Sequence, residues 1–348
     1  MDNSPLLSNT PKIHVWRYLP ILIMLGLAVN LLIPQITSLE HSWSVIKGMT
    51  WWFFVLAVVS QVLSYLGSGF MLHAILETNS QKLSILSGAL ITLASASVGL
   101  LAGGWVGSAA ATYRWVQRES QGGHTTPLVG MLPALLNNSV LVGVALIGTL
   151  YLLLLHDLST AQLIEFGIIL LILGILATSV VISLRFPEAI TRATVWLAGF
   201  WAKLRRKSFT AEATIASVGQ FIVAWNSLRN GKWVYPLLGA FASIAFDMLT
   251  LYFLFVAVGH NVSPGILLAG YGLPLILGKM AFLVPGGVGV IEGSMVALYD
   301  SLKVPDAFSV VVILGYRLVS FWLPTVLGFI AVLYLSSKPS KLKENNHV

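Results

Sequence analysis

The chain has 348 residues, 57% of them hydrophobic and only 9% charged, against about a quarter charged in a soluble domain, so an ordinary water-soluble enzyme is excluded. A net charge of +7 in so apolar a chain is the expected excess of basic loops that orient a membrane protein, and it argues against a nucleic-acid partner. Cysteine is absent, which removes disulfides, thiolate metal sites and cysteine nucleophiles.

Apolar runs of about the 20 residues that a bilayer requires are predicted to span at 17–36, 50–72, 133–155, 162–184, 234–258 and 308–336. They lack the period-two alternation of barrel strands, and a backbone in hydrocarbon must satisfy itself, so each is read as a helix. The first run follows Lys12 and Arg17 with no small-residue cleavage site behind it, and is read as a retained span rather than a signal peptide. Two segments depart from the template. Residues 83–111 carry Gly99, Gly103, Gly104 and Gly107, and residues 264–299 carry Gly270, Gly272, Pro274 and the run Pro285, Gly286, Gly287, Val288, Gly289. Both are too long for one upright helix and are read as broken or re-entrant hairpins.

Charge placement supports that count. With six full spans and two hairpins that return to their own side, sixteen of the 20 basic residues fall inside, only Lys47 and Lys303 fall outside, and Lys279 and Arg317 lie within the membrane. Eight straight crossings separate the charges less well, against the bias of cytoplasmic loops toward Lys and Arg. The expected fold is therefore all-α, a polytopic helical protein with both termini cytoplasmic. It forms a single membrane domain over 1–348, with a first half at 18–184 and a second at 233–336. The two hairpins then open from opposite sides, as an inverted repeat would place them. Between the halves, residues 185–232 hold the largest polar stretch. Ala193, Trp196, Leu197, Phe200, Trp201 and Leu204 share one helical face beside Lys203, Arg205, Arg206 and Lys207, which reads as a basic amphipathic segment on the cytoplasmic surface.

A charged side chain near the bilayer centre costs at least about 2.5 kcal/mol on insertion scales, so each requires a partner, a cavity or a task. The candidates are Asp247 in mid-span, Lys279 and Glu292 on either side of the Pro285–Gly289 break, Arg317 in the last span and Arg114 after the first glycine cluster. Asp247 with Arg317, and Lys279 with Glu292, are the expected charge-balanced pairs. A helix starting after Gly289 would turn backbone donors toward an anion such as phosphate, unless Glu292 takes that place as a cap. Gln61, Asn137 and Asn138 are expected to hydrogen-bond between helices. The seven histidines are scattered without ligand spacing, and no Walker sequence occurs, so neither a metal site, nor a bound cofactor, nor an ATP-driven pump is expected.

The run from Pro285 to Gly293, PGGVGVIEG, resembles the second-half signature of the flippase-like membrane family, which includes the transmembrane region of lysylphosphatidylglycerol synthase. The stretch Gly107 to Trp115, GSAAATYRW, resembles that family's glycine-rich segment ending in arginine. The resemblance runs from about 18 to 336 and carries no counterpart of the soluble aminoacyl-transfer domain. It implies the membrane half of the activity: movement of a polar or charged lipid headgroup between leaflets of a bacterial inner membrane. The lipid would be an anionic or aminoacylated phospholipid, or a glycolipid. On this reading Arg114 and Lys279 attract phosphate, Asp247 and Glu292 balance them or bind a cationic headgroup, and Gly103, Gly104, Gly107, Gly286, Gly287 and Gly289 let the backbone open. No residue is assigned as catalytic. A lipid-synthesis enzyme and a second copy of the chain are the protein partners it admits. Two competing readings are a membrane-embedded glycosyl or lipid transferase with Asp247 or Glu292 as acid, against which no acidic metal cluster is present, and a scaffold subunit docking an enzyme through 185–232.

Overall fold

The computed structural model describes residues 43–78, 80–102, 104–120, 127–155, 233–281 and 284–337, with isolated positions between 160 and 199. The expected span at 17–36 and Gly103 lie outside the described residues, as does most of the expected span at 162–184 and of the segment 185–232. The described residues form helices with no strand. The longer ones are α1 (Trp51–Glu77), α2 (Ile85–Leu101), α3 (Trp105–Glu119), α4 (Leu132–Leu155), α5 (Val234–Ala257), α6 (Pro264–Met280), α7 (Val290–Ser301), α8 (Asp306–Arg317) and α9 (Leu323–Ser337), and a short helix at Trp43–Lys47 precedes α1. A π-turn at Leu318–Trp322 joins α8 to α9, so that Asp306–Ser337 is one long rod. Among the described residues, four stretches are long and apolar enough to cross a membrane: Trp51–Glu77, Leu132–Leu154, Val234–Ala257 and Asp306–Ser337. Both segments expected to be irregular are broken helical hairpins, α2–α3 and α6–α7. The first is longer than expected. Helix α3 continues to Glu119, so Arg114 and Arg118 belong to a helix rather than to a loop.

A repeat relates the halves with a shift of 179 residues. Helix α1 closes with the Gln81 N–H donating to the Leu76 carbonyl at 3.0 Å, and α5 closes with the His260 N–H donating to the Phe255 carbonyl at 3.1 Å. In each case the preceding residue, Ser80 or Gly259, has positive φ (57° and 77°). This six-to-one bond around a left-handed residue is a Schellman closure. Helices α2 and α6 then open with a serine cap, Ser84 accepting from the Ser87 N–H and Ser263 from the Ile266 N–H. Each runs for 17 residues and ends at an alanine, Ala102 or Ala281. Beyond them α3 starts after Gly104 (φ 69°) and α7 after Gly289 (φ 84°).

The repeat is inverted. Equivalent residues Ser64 and Ser243 meet, their hydroxyls 3.4 Å apart, and Ser68 reaches Ser243 at 2.8 Å. Gly67 lies against the Ser243 backbone and Gly239 against that of Met71, so α1 and α5 cross antiparallel. A two-fold that brings equivalent helices together antiparallel runs perpendicular to them, hence in the membrane plane. The hairpins are exchanged between halves about this axis. Helix α6 packs on α4, with Gly148 against Ala269 and Gly272 against Ala145, while α2 packs on α9, with Gly328 against Leu93 and Ser97. These contacts use the small residues by which membrane helices gain van der Waals packing, where lipid supplies no hydrophobic drive. A Cβ at Gly239 would stand 2.6 Å from the Met71 backbone. Gly239→Ala is expected to cost about 1–3 kcal/mol of stability through overpacking, readable as a lowered midpoint in detergent unfolding.

Large apolar side chains outside the core face lipid, as Ile147, Leu150 and Leu154 do on α4 and Leu327, Ile330 and Leu333 on α9. Trp51 and Trp52 begin α1, and Trp233 and Tyr235 flank the start of α5. These are the headgroup-depth aromatics expected at span ends.

Candidate functional site

The second hairpin and the α8–α9 rod build a buried polar centre. After α6 ends, the chain turns at Pro285–Gly287, where Gly286 takes φ 66°, a left-handed conformation that glycine adopts without steric cost. Helix α7 then starts after Gly289, its N-cap. In its first turn Glu292 folds back, and its Oε2 accepts the Gly289 N–H at 2.6 Å. Its Oε1 accepts from Arg317 Nε, also at 2.6 Å. Arg317 Nη2 donates to the Gly286 carbonyl at 3.1 Å, and the guanidinium carbon stands 4.2 Å above the Phe321 ring. Phe321 packs on Gly286 so closely that a Cβ there would be 2.4 Å from the ring, and Leu100, near the end of α2, touches the same glycine. Glu292 and Arg317 are 3% and 4% exposed. Every strong partner of this carboxylate is an obligate donor, so the pair pins the break shut. The π-turn that follows Arg317 sets the pitch that brings Phe321 over it, an irregularity frequent at functional sites.

Asp247 sits near the middle of α5. Its Oδ2 accepts from Tyr271 at 2.7 Å and from Tyr316 at 2.8 Å. Gln61 of α1 lies beside the same carboxylate and is hydrogen-bonded to Thr250 at 3.1 Å. Lys279 closes α6 as the basic residue of its last turn, where the helix dipole favours a cation. Its Nζ donates to Asn138 Oδ1 at 2.8 Å. Asn138 is the seventh residue of α4, so this ammonium lies about 9 Å along that span. It is exposed, as are its neighbours Leu277 and Met280.

Four of the five expected charges therefore gather around the second break, but the pairing differs from expectation. Arg317 pairs with Glu292 rather than Asp247, and Lys279 bonds Asn138 rather than Glu292. The reason is the backward reach of Glu292: once it caps α7 it is aimed at α8, while Asp247 is satisfied by phenols. The α7 N-terminus is likewise occupied by Glu292, which leaves no free anion seat at the cap. Arg114 does not join the cluster. It is on the exposed side of α3, in the other half, and has no hydrogen bond or ion pair among the described residues. Among the glycines, Gly104, Gly286, Gly287 and Gly289 have positive φ, whereas Gly107 serves close packing against Ala102.

Tyr271, Tyr316 and Phe321 complete the site without having been singled out in the sequence, whereas Asn138 and Gln61 bond between helices as expected. A usable signal existed for the tyrosines, because a phenol at membrane depth needs a hydrogen-bond partner and mid-span Asp247 was available to supply one. A separate polar cavity of about 590 Å³ lies where α1, α2 and α3 end or begin, lined by His73, Glu77, Lys82, Ser84 and Glu119 among others.

Residues 21–328 match the family model described as lysylphosphatidylglycerol synthase TM region. A UPF0104 membrane protein of Methanocaldococcus jannaschii is 26% identical over 170 residues, 48% of this chain and 50% of the relative. One from Pyrococcus horikoshii is 28% identical over 199 residues, covering 53% and 56%. One from Methanothermobacter thermautotrophicus is 26% identical over 158 residues, covering 44% and 46%. In these matches the chain spans about half the length of the curated relatives it matches.

Proposed function

Because this chain belongs to the lysylphosphatidylglycerol synthase transmembrane-region family, we propose that it moves a polar, phosphate-bearing lipid headgroup between the two leaflets while the acyl tails stay in the bilayer. The observation that carries the reading is Lys279, an exposed ammonium held at membrane depth by Asn138 beside a broken helix. A cation there with no ion pair among the described residues is costly and marks a path for a charged group, and irregular backbone at that depth is tolerated where it lines a cavity. Lys279 attracts the phosphate. Glu292 and Arg317 hold the break closed between passages, and the left-handed glycines give it the freedom to open. Arg114, on the other half, is the second phosphate contact, reached when the opposite hairpin faces its own side. The setting is a bacterial inner membrane with both termini in the cytoplasm, and the substrate is an anionic or aminoacylated phospholipid or a glycolipid.

The absence of native cysteine gives a direct test. In liposomes containing Lys279→Cys protein, leaflet exchange of a labelled anionic phospholipid is expected to fall at least tenfold. It should recover after a thiol reagent that adds an aminoethyl group and stay low after one that adds a sulfonate. Equal rates with both reagents would refute the assignment of Lys279.

A further inference from the structure

We infer that Asp247 is a reversible proton-binding site, distinct in kind from the fixed carboxylate of Glu292. The two acids differ in the chemistry of their shells. Glu292 faces a guanidinium N–H and a backbone N–H, which can only donate and therefore satisfy only the ionised form. Asp247 faces Tyr271 and Tyr316 hydroxyls and the Gln61 amide, each of which can donate or accept. Ionised, the carboxylate is satisfied by the two phenols on Oδ2. Protonated on Oδ1, it can donate to Gln61 Oε1 or to a phenol whose hydroxyl has turned. Thr250 makes room for that change. Its single hydroxyl hydrogen has three acceptors in range, Gln61 Oε1 at 3.1 Å, the Phe246 carbonyl at 3.1 Å and the Ala57 carbonyl at 3.3 Å. It can therefore leave Gln61 without losing a bond. The reaction is one carboxylate plus one proton giving one neutral acid, with no other bond changed.

The surroundings of Asp247 are otherwise accounted for. From α1 it faces Gln61 and Tyr65, from α6 Tyr271 and Lys279, and from α8 Tyr316 and Arg317. Arg317 is committed to Glu292 and Lys279 to Asn138, so neither cation forms an ion pair with Asp247. Helix α4, also packed on α5, contributes Tyr151, which lies against Gly265 instead. A mid-span carboxylate with no ion-pair partner among the described residues lowers its cost by taking a proton. Proton uptake here on one side and release on the other would drive translocation, a use that rests on the proposed function; the site itself does not.

The test is infrared difference spectroscopy of the full-length protein in liposomes as the pH is lowered. A carbonyl-stretch band of a protonated carboxylic acid is expected, lost in Asp247→Asn and kept in Asp306→Asn, which removes an exposed acid. Tyr271→Phe and Tyr316→Phe are each expected to move the midpoint at which the band appears, which keeps the test decisive if the asparagine variant fails to fold. No band in the wild type, a band that survives Asp247→Asn, or a midpoint untouched by both phenylalanine variants would overturn the assignment. So would a band suppressed at constant pH by exchanging choline for sodium, since that would make Asp247 an alkali-cation site. None of these readouts depends on lipid movement.

Discussion

Arg317→Met is expected to destabilise the protein by about 3–5 kcal/mol, because it leaves Glu292 as a buried carboxylate without its cation. The neighbouring contacts go with it. The Gly286 carbonyl loses the Nη2 donor, and Phe321 loses the guanidinium it supports. Glu292→Gln should also destabilise, since its amide nitrogen must face either the Gly289 N–H or the Arg317 guanidinium, both obligate donors, and Arg317 is left without its anion. The double variant Glu292→Gln with Arg317→Met should be milder than the sum of the singles, because no charge is then stranded. Unfolding midpoints of the four proteins in detergent measure this directly. Strict additivity would mean that the two side chains do not act as a unit.

Gly286→Val is expected to be nearly as damaging, at about 2–5 kcal/mol. The residue has φ 66°, where a β-branched side chain is strained by roughly 1–2 kcal/mol. The new Cβ would also stand 2.4 Å from the Phe321 ring, which must move and take its contact with Arg317 along, an overpacking cost of about 1–3 kcal/mol. At Gly293, on the same hairpin but with open space around its Cβ position, substitution by alanine should leave the midpoint unchanged or raise it slightly, because alanine is the better helix former. A comparison of the two glycines by thermal unfolding separates loss of a conformation from loss of flexibility in general.

The physical reasons divide what was legible in the sequence from what was not. Span positions were readable because hydrocarbon imposes length and apolarity, and α1, α4, α5 and the α8–α9 rod fall within a few residues of the expected bounds. The hairpins were readable because the glycine cluster from Gly99 to Gly107 and the Pro285–Gly289 run disfavour a continuous helix. The inverted repeat was only faintly visible there, since the glycine spacings of the two breaks differ. Its clearer mark lies in the caps, where Ser84 and Ser263 recur at one spacing while the intervening side chains have diverged. Charge alone could identify Asp247, Lys279, Glu292 and Arg317 as requiring partners, but not assign them. Assignment depended on the rotation of α8, which presents Tyr316 to Asp247 and Arg317 to Glu292 from adjacent positions. It depended also on a π-turn that no side-chain pattern announces. Arg114 was grouped with the others by composition, whereas the helical phase of α3 turns it outward.

Lipid movement by this chain is measured by the leaflet exchange of labelled lipids in liposomes with and without the protein. Acceleration of at least one class among anionic, aminoacylated and glycosylated lipids, relative to protein-free vesicles, is the predicted result. Exchange no faster than in empty vesicles for all three, with protein shown by its unfolding midpoint to be intact, would contradict it.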